Sequence, residues 1–376
     1  MDQDLKTTDR NVTTMDQALR TIYWNVTTMN RNYLDALYAL STFYDWMPVE
    51  NRIYRALQVI QAGYYPILAI IGIPVISVTI LIISRGNCGL SKCVTHYLLA
   101  MASADLIVII LDLVLRHIPI VHQLNFLWFL RICNIHAVLL YAATDCSVWF
   151  TVTFTFDRFV AITCRTLKNR YCTEKAAAVV LGTVSVLSFL KNLFWYFMLT
   201  GMYQLANLPW FCFVRLDVYF SMVWGTIEFV HYILNPCVPF VMILLLNVLT
   251  VRHILVSSRA RRRLWAQSSG EGLRDPEMES RRKSMILLFA ISANFLLLWA
   301  TNTLYSVLFR MNNLGYVSTL LHPYVQELGF MFQLLSCSTN SCIYALTLTK
   351  FREQLKDVLK CPFAPILEFI QNGENK

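Results

Sequence analysis

Three aspartates stand in stretches otherwise almost free of charge: Asp105, Asp112 and Asp145. A carboxylate among apolar residues is costly unless it is paired, hydrogen-bonded or neutralised, so each one needs a partner. Ser147, Ser336 and Asn340 are polar residues that could face Asp105. A carboxylate with several oxygen neighbours suits a hydrated cation or a proton. It equally suits a structural acid held by hydrogen bonds. A fourth acid, Asp157, is followed at once by Arg158 and Phe159. Such an acid can hold the arginine in a local pair, whose release would free a long cationic side chain for a partner. Snorkelling arginines at a membrane boundary look the same. Hydrolytic chemistry gains no further support, because the chain has neither a nucleophile elbow nor an HExxH pair. The eleven cysteines show no doubled C-x-x-C spacing of the zinc type, so no metal site is expected.

The elements that carry these residues must cross a membrane. The 376 residues are 56% hydrophobic and 15% charged, against about 25% charged in an ordinary soluble domain. The net charge of +9 reads as basic loops on the inner side of a bilayer, not as a nucleic-acid surface. A spanning helix needs about 20 largely apolar residues. Seven such stretches are expected: Arg55 to Arg85, Val94 to Leu115, Ile132 to Asp157, Ala176 to Leu199, Glu228 to Arg252, Lys283 to Arg310 and Glu327 to Lys350. The fourth is weakened by Lys191. Prolines within spans one and five, Pro66, Pro74, Pro236 and Pro239, are tolerated as kinks. The fold class is therefore an all-α membrane protein, a seven-transmembrane helix bundle over residues 57–349.

Lys and Arg placement orients the bundle. The loops after spans one, three and five and the carboxyl-terminal tail hold 21 of these residues, whereas the other loops and span ends hold five, Arg116, Arg131, Lys191, Arg215 and Arg310, and the six in the amino-terminal tail lie among seven acids. The positive-inside rule then puts the amino terminus outside and the carboxyl terminus inside. Residues 1–56 read as a disordered, glycosylated extracellular tail with no cleavable signal peptide. The sequons at Asn11 and Asn25 lie in a repeated NVTTM segment. In this topology Cys133 and Cys212 alone face the oxidising side, which favours a disulfide between them. After span seven, Phe351, Leu355, Val358 and Leu359 share one helical face with charges opposite. Residues 350–361 therefore read as an interfacial helix on the inner leaflet. Cys361 at its end is a palmitoylation candidate, though an unmodified thiol fits as well. Residues 362–376 form a cytoplasmic tail.

From about Leu57 to Cys361 the chain resembles the rhodopsin-like (class A) G-protein-coupled receptors. The matching pieces are Leu99-Ala100-x-x-x-Ala104-Asp105, Cys133, Asp157-Arg158-Phe159, Pro239, Phe295-x-x-x-Trp299, Asn340-Ser341-x-x-Tyr344 and the Phe351-Arg352 start of the last helix. Within that class it is most similar to the orphan group of probable G-protein coupled receptor 139. The cues are Gly72-Ile73-Pro74, His96-Tyr97-Leu98-Leu99-Ala100, Asn247 after Pro239, and Leu298-Trp299-Ala300. The resemblance implies that Arg158, paired with Asp157, is the ionic-lock arginine. It implies that Phe295 and Trp299 form a rotamer switch under a ligand pocket, and that Asn340 and Tyr344 belong to a seventh-helix switch. It makes Asp105, with Ser147, Ser336 and Asn340, the site of an allosteric sodium ion, and no other cofactor is expected. It implies the same Cys133–Cys212 bridge.

Counting from these motifs places Tyr141, Thr144, Asp145, Glu228, His231, Asn302, Tyr305 and Phe330 around the pocket. Asp145 is expected to pair with His231, or else with a nearby hydroxyl or Asn235. Leu140 stands where amine receptors carry an acid, which argues against an aminergic ligand. Asn302 stands where related amino-acid sensors carry arginine, which argues against an amino-acid ligand. Further departures are Ile76 for asparagine, no tryptophan in span four, Thr301 and Ser341 for prolines, and Asn247 for tyrosine. The expected function is transduction of an extracellular small-molecule or peptide signal to a heterotrimeric G protein at the plasma membrane, in contact with membrane lipids and without nucleic acid or enzymatic activity. The alternative is a transporter or channel, but neither an internal repeat nor a glycine-broken helix pair is visible.

Overall fold

The computed structural model describes residues 48–85, 88–164, 171–204, 211–219, 221–265, 276–316 and 321–360. Asn11, Asn25 and Cys361 lie outside them. The chain divides into two units, Met1–Ala56 and Leu57–Lys376. Of the first, only residues 48–56 are described, and they are largely the start of a helix.

Among the described residues, eight helices carry the fold. The first, α1, is Val49–Ser84, and α2 is Lys92–Val121. The hydroxyl of Ser91 caps α2 by accepting from Val94 N, satisfying one of the orphan donors of a first turn. Within α2, Ile109–His117 is π-helical, and the wider turn shifts the faces presented by Asp112 and Arg116. Next come α3, Cys133–Thr163, and α4, Glu174–Met198, the latter capped by Thr173. The α5 helix runs Met222–Tyr232 and continues as Val238–Trp265 beyond a π-helical break at Ile233–Cys237. At the break Asn235 is extended, with φ −152° and ψ 111°, the backbone that a following proline enforces. The bundle closes with α6, Pro276–Asn313, and α7, Pro323–Thr347, followed by the short α8, Thr349–Lys360. Between α4 and α5 a two-stranded antiparallel sheet forms from β1, Leu199–Tyr203, and β2, Cys212–Val214.

Helices α1 to α6 are long and apolar enough to cross a membrane. Large apolar side chains on them point outward, such as Ile70 and Ile71 on α1, Val179 and Val186 on α4, and Val241 and Leu245 on α5. In lipid that is the favourable direction. The seventh helix has spanning length, 25 residues or about 37 Å, but falls short of that apolarity. Its polar residues face inward instead: Gln326, Glu327, Gln333, Ser336, Asn340 and Ser341 are all buried. Glu327 accepts from Gln61 Nε2 of α1 at 2.8 Å.

The core has one apolar cluster at the disulfide end of the bundle, termed outer, and one at the Arg158 end, termed inner, with further packing between. Trp195, Phe211 and the disulfide between Cys133 and Cys212 make the outer one. Tyr203 of β1 seals it against α3, with its hydroxyl 3.1 Å from His136 Nδ1. Burial pushes the Tyr203 phenol up to about 12, so it remains a neutral partner. The inner cluster holds Tyr97, Phe154, Tyr344 and Phe351. Phe351 ties α8 to the bundle while Arg352, Glu353, Lys356 and Asp357 on the opposite face are exposed.

One glycine sets a helix spacing. A Cβ on Gly329 of α7 would lie 2.9 Å from Asn302 Cα and 3.1 Å from Asn302 N on α6. Both are backbone atoms, so the helices themselves must part. Gly329→Ala is expected to cost about 1–3 kcal/mol through overpacking, read as a lower thermal midpoint of the purified protein. An unchanged midpoint would mean that α6 and α7 are free to separate.

Candidate functional site

Among the described residues, three places gather polar side chains inside the bundle: at the disulfide end, around Asp105 midway, and at the Arg158 end of α3. The outer one is a narrow cavity of about 70 Å³ among α2, α3, α5, α6 and α7. Of the residues expected around a pocket, Tyr141, Thr144, Asp145, His231, Asn302 and Phe330 line it. Glu228 and Tyr305 do not. Glu228 is instead the carboxylate partner of Arg310, 2.9 Å from its Nε, and Tyr305 is buried in a stack with Phe309 at 5.9 Å. The helical phase explains both, since each lies on the flank of its helix facing a neighbouring side chain.

Asp145 and His231 are not paired. The Asp145 carboxylate accepts from Asn192 Nδ2 at 2.6 Å and from Asn235 Nδ2, and Lys191 Nζ lies 2.5 Å from its Oδ2. Lys191 makes a close ion pair there without hydrogen-bond alignment. These four residues join α3, α4 and α5 at one point, with Asn235 delivered by the break in α5. His231 is wedged among the rings of Tyr141, Phe194, Trp195 and Tyr232, at centroid distances of 5.1–5.9 Å, and its Nδ1 has no partner among the described residues. The amide and ammonium donors are better placed for the carboxylate, which leaves the imidazole to aromatic packing.

The cavity also holds charges absent from the sequence expectation. Arg116 donates to Asp112 Oδ1 at 2.9 Å. Its guanidinium sits 5.1 Å from the Phe211 ring and 4.7 Å from the Phe330 ring. Arg310, paired with Glu228, lies 3.9 Å over Tyr232. Asn302 donates to Gln333 Oε1 at 2.6 Å, and it is no cation. Arg116 and Arg310 nevertheless supply two, so the argument against a cationic anchor holds for position 302 and not for the cavity. The sequence signal for Arg116 was its i, i+4 spacing from Asp112, which suits a helical ion pair.

Trp299 forms part of the cavity lining. Its ring stacks on Phe295 at 5.3 Å, in a cluster with Val148, Val152 and Ile243. Below it, Asp105 accepts from Ser147 Oγ at 2.6 Å and from Asn340 Nδ2 at 2.9 Å. Ser336 is turned away to Asn294, whose Nδ2 lies 3.4 Å from its Oγ. Asn294 also donates to Asn340 Oδ1 at 3.1 Å. Tyr344 is fully buried against Phe351.

At the inner end, Arg158 Nε donates to Asp157 Oδ2 at 3.0 Å, and a second guanidinium nitrogen reaches the same oxygen. The remaining terminal nitrogen donates to Ser284 Oγ of α6 at 3.3 Å. Two thiols complete the surround. Cys93 Sγ donates to Asp157 Oδ1 at 3.4 Å, and Cys172 Sγ donates to the Asp157 carbonyl at 3.6 Å. Neither cysteine was singled out from the sequence, where they read only as thiols on the reducing side.

The chain matches the family model "7 transmembrane receptor (rhodopsin family)" over residues 77–344. It is also similar to "Probable G-protein coupled receptor 142" of Mus musculus, 26% identical over 314 residues, covering 80% of this chain and 73% of that protein. The family match spans the disulfide, the outer cavity, the Trp299 stack and the Arg158 contacts, and it is a match to receptors, not to enzymes: the chain belongs to the rhodopsin family of seven-transmembrane receptors.

Proposed function

We propose that this receptor binds a ligand from outside in the cavity at Trp299 and activates a heterotrimeric G protein through Arg158. The observation that carries the reading is that one rigid helix touches both sites. Helix α6 bears Trp299 at the cavity and Ser284 against Arg158. The two are separated by fifteen positions, or about 22 Å along a helix. A ligand that favours one placement of α6 over another therefore shifts the Arg158 contact by the same amount of free energy. Freed from Ser284 and Asp157, the guanidinium offers five donors to a partner's carbonyls and carboxylates.

The reading places the amino terminus outside and the receptor at the plasma membrane, with basic loops on the inner leaflet. The ligand remains an orphan one of small-molecule or peptide size. Arg116 and Arg310, each held by its own acid and set against aromatic rings, favour a ligand with an anionic group beside an aromatic one. The donors do not fit a sodium ion as arranged. Both Asp105 oxygens accept from side-chain donors and Ser336 faces Asn294.

The test is guanine-nucleotide exchange on purified G proteins by membranes holding the receptor. Arg158→Ala is expected to lower that exchange by about tenfold or more, the scale of one charge-assisted contact set, with the amount of receptor at the surface unchanged. Exchange that survives the substitution would overturn the role of Arg158. Solute flux across the membrane without exchange would favour a transporter.

A further inference from the structure

We infer that Ser284 is a phosphorylation site for a serine kinase that reads basic residues, and that phosphate there clamps α6 onto Arg158. The inference rests on the proposed release of Arg158 during activation. Two observations meet at this residue. Its hydroxyl already accepts from Arg158, 3.3 Å from the guanidinium nitrogen that does not serve Asp157. The sequence places Arg281, Arg282 and Lys283 immediately before it, the charge pattern that a basophilic kinase recognises through its own acids. Residues 350–376, by contrast, contain no serine or threonine.

Other serines near the inner face lack this geometry. On α5, Ser257 lies 3.4 Å from His253 Nε2, and Ser258 donates to the Leu255 carbonyl. Ser284 alone among the described residues joins α6 to Arg158 through a side-chain hydroxyl.

The chemistry is ordinary phosphoryl transfer from ATP. The Ser284 Oγ–P bond forms, the bond between the γ-phosphorus and the bridging oxygen of ATP breaks, ADP leaves, and the hydroxyl proton passes to the kinase base and then to solvent. A neutral oxygen that accepts one N–H becomes a group with about two negative charges and three strong acceptors. Arg158 can then span Asp157 and the phosphate with opposite edges of its fork, since a planar guanidinium suits two acids at once. Ser284 is partly buried in the present contact, so a kinase reaches it only once α6 has moved off Arg158. It stands two turns from Pro276, the first residue of α6, so a shift of the whole helix away from α3 uncovers it. Phosphorylation therefore follows activation and opposes the next round without requiring the tail.

The experiment uses the full chain in lipid nanodiscs with ATP and a basophilic serine kinase. Peptide mass mapping reads the site, and amide hydrogen exchange reads the inner end of α6. Phosphate is expected on Ser284, and exchange over residues 284–292 should slow by about tenfold. Ser284→Ala should lose that slowing, and Arg158→Gln should lose it while still accepting phosphate. Absence of phosphate at Ser284, or phosphate with unchanged or faster exchange in the wild type, overturns the inference. Neither readout needs a G protein. A clamp that forms in a receptor unable to drive nucleotide exchange would sink the proposed function and leave this inference standing.

Discussion

Asp145→Ala is expected to remove about 3–5 kcal/mol of stability, the cost of breaking a buried ion pair from one side. The substitution strands three donors at once: the Asn192 and Asn235 amides and the Lys191 ammonium. The two asparagines are buried, while Lys191 is a quarter exposed and can swing its charge outward. Lys191→Met should therefore be milder, since Asp145 keeps two amide donors. The double variant Asp145→Ala with Lys191→Met should recover part of the loss by removing the unpaired cation. Thermal unfolding of detergent-solubilised receptor measures all three. If Asp145→Ala unfolds within a degree or two of wild type, the four residues do not hold α3, α4 and α5 together.

Loss of the Cys133–Cys212 bridge should be of similar size. The disulfide closes a loop of 79 positions, for which restriction of the unfolded chain contributes about 4 kcal/mol. Both sulfurs are fully buried in the outer cluster with Trp195 and Phe211, so a serine in either place also buries a hydroxyl among rings. Cys133→Ser and Cys212→Ser should each depress surface expression strongly, and the double variant should be little worse than either single one, because the bond is lost at the first substitution. Additive losses, or a thermal midpoint that ignores reducing agent, would contradict this account.

Much of the architecture was legible because lipid imposes length and apolarity on each span. Between Arg55 and Arg85 there is no charge, which marks a span. Asp105 and Arg158 stood out as charges in or beside apolar spans, whereas Trp299 was marked by the family resemblance. The cavity was not, for reasons visible in single residues. Arg116 reads as the first residue of an outer loop, and it is the π-helical turn of α2 that keeps it inside beside Asp112. A wider turn leaves no trace in a hydrophobic pattern. Lys191 reads as a flaw in span four, yet it completes the Asp145 cluster. His231 and Asp145 lie on facing helices at similar depth, which a count of residues reveals. Which of several donors wins the carboxylate depends on side-chain reach and on the break at Asn235, and no count supplies that.

The inward polarity of α7 bears on how the protein enters the bilayer. A translocating segment partitions sideways into lipid according to its own apolarity, and α7, with Gln326, Glu327, Gln333 and Asn340, is poorly suited to do so alone. Its acid accepts from Gln61 on α1, and its backbone at Gly329 packs closely against Asn302 on α6. Contacts with α1 and α6 therefore favour entry of α7 into lipid beside helices already there, where its own apolarity is weak.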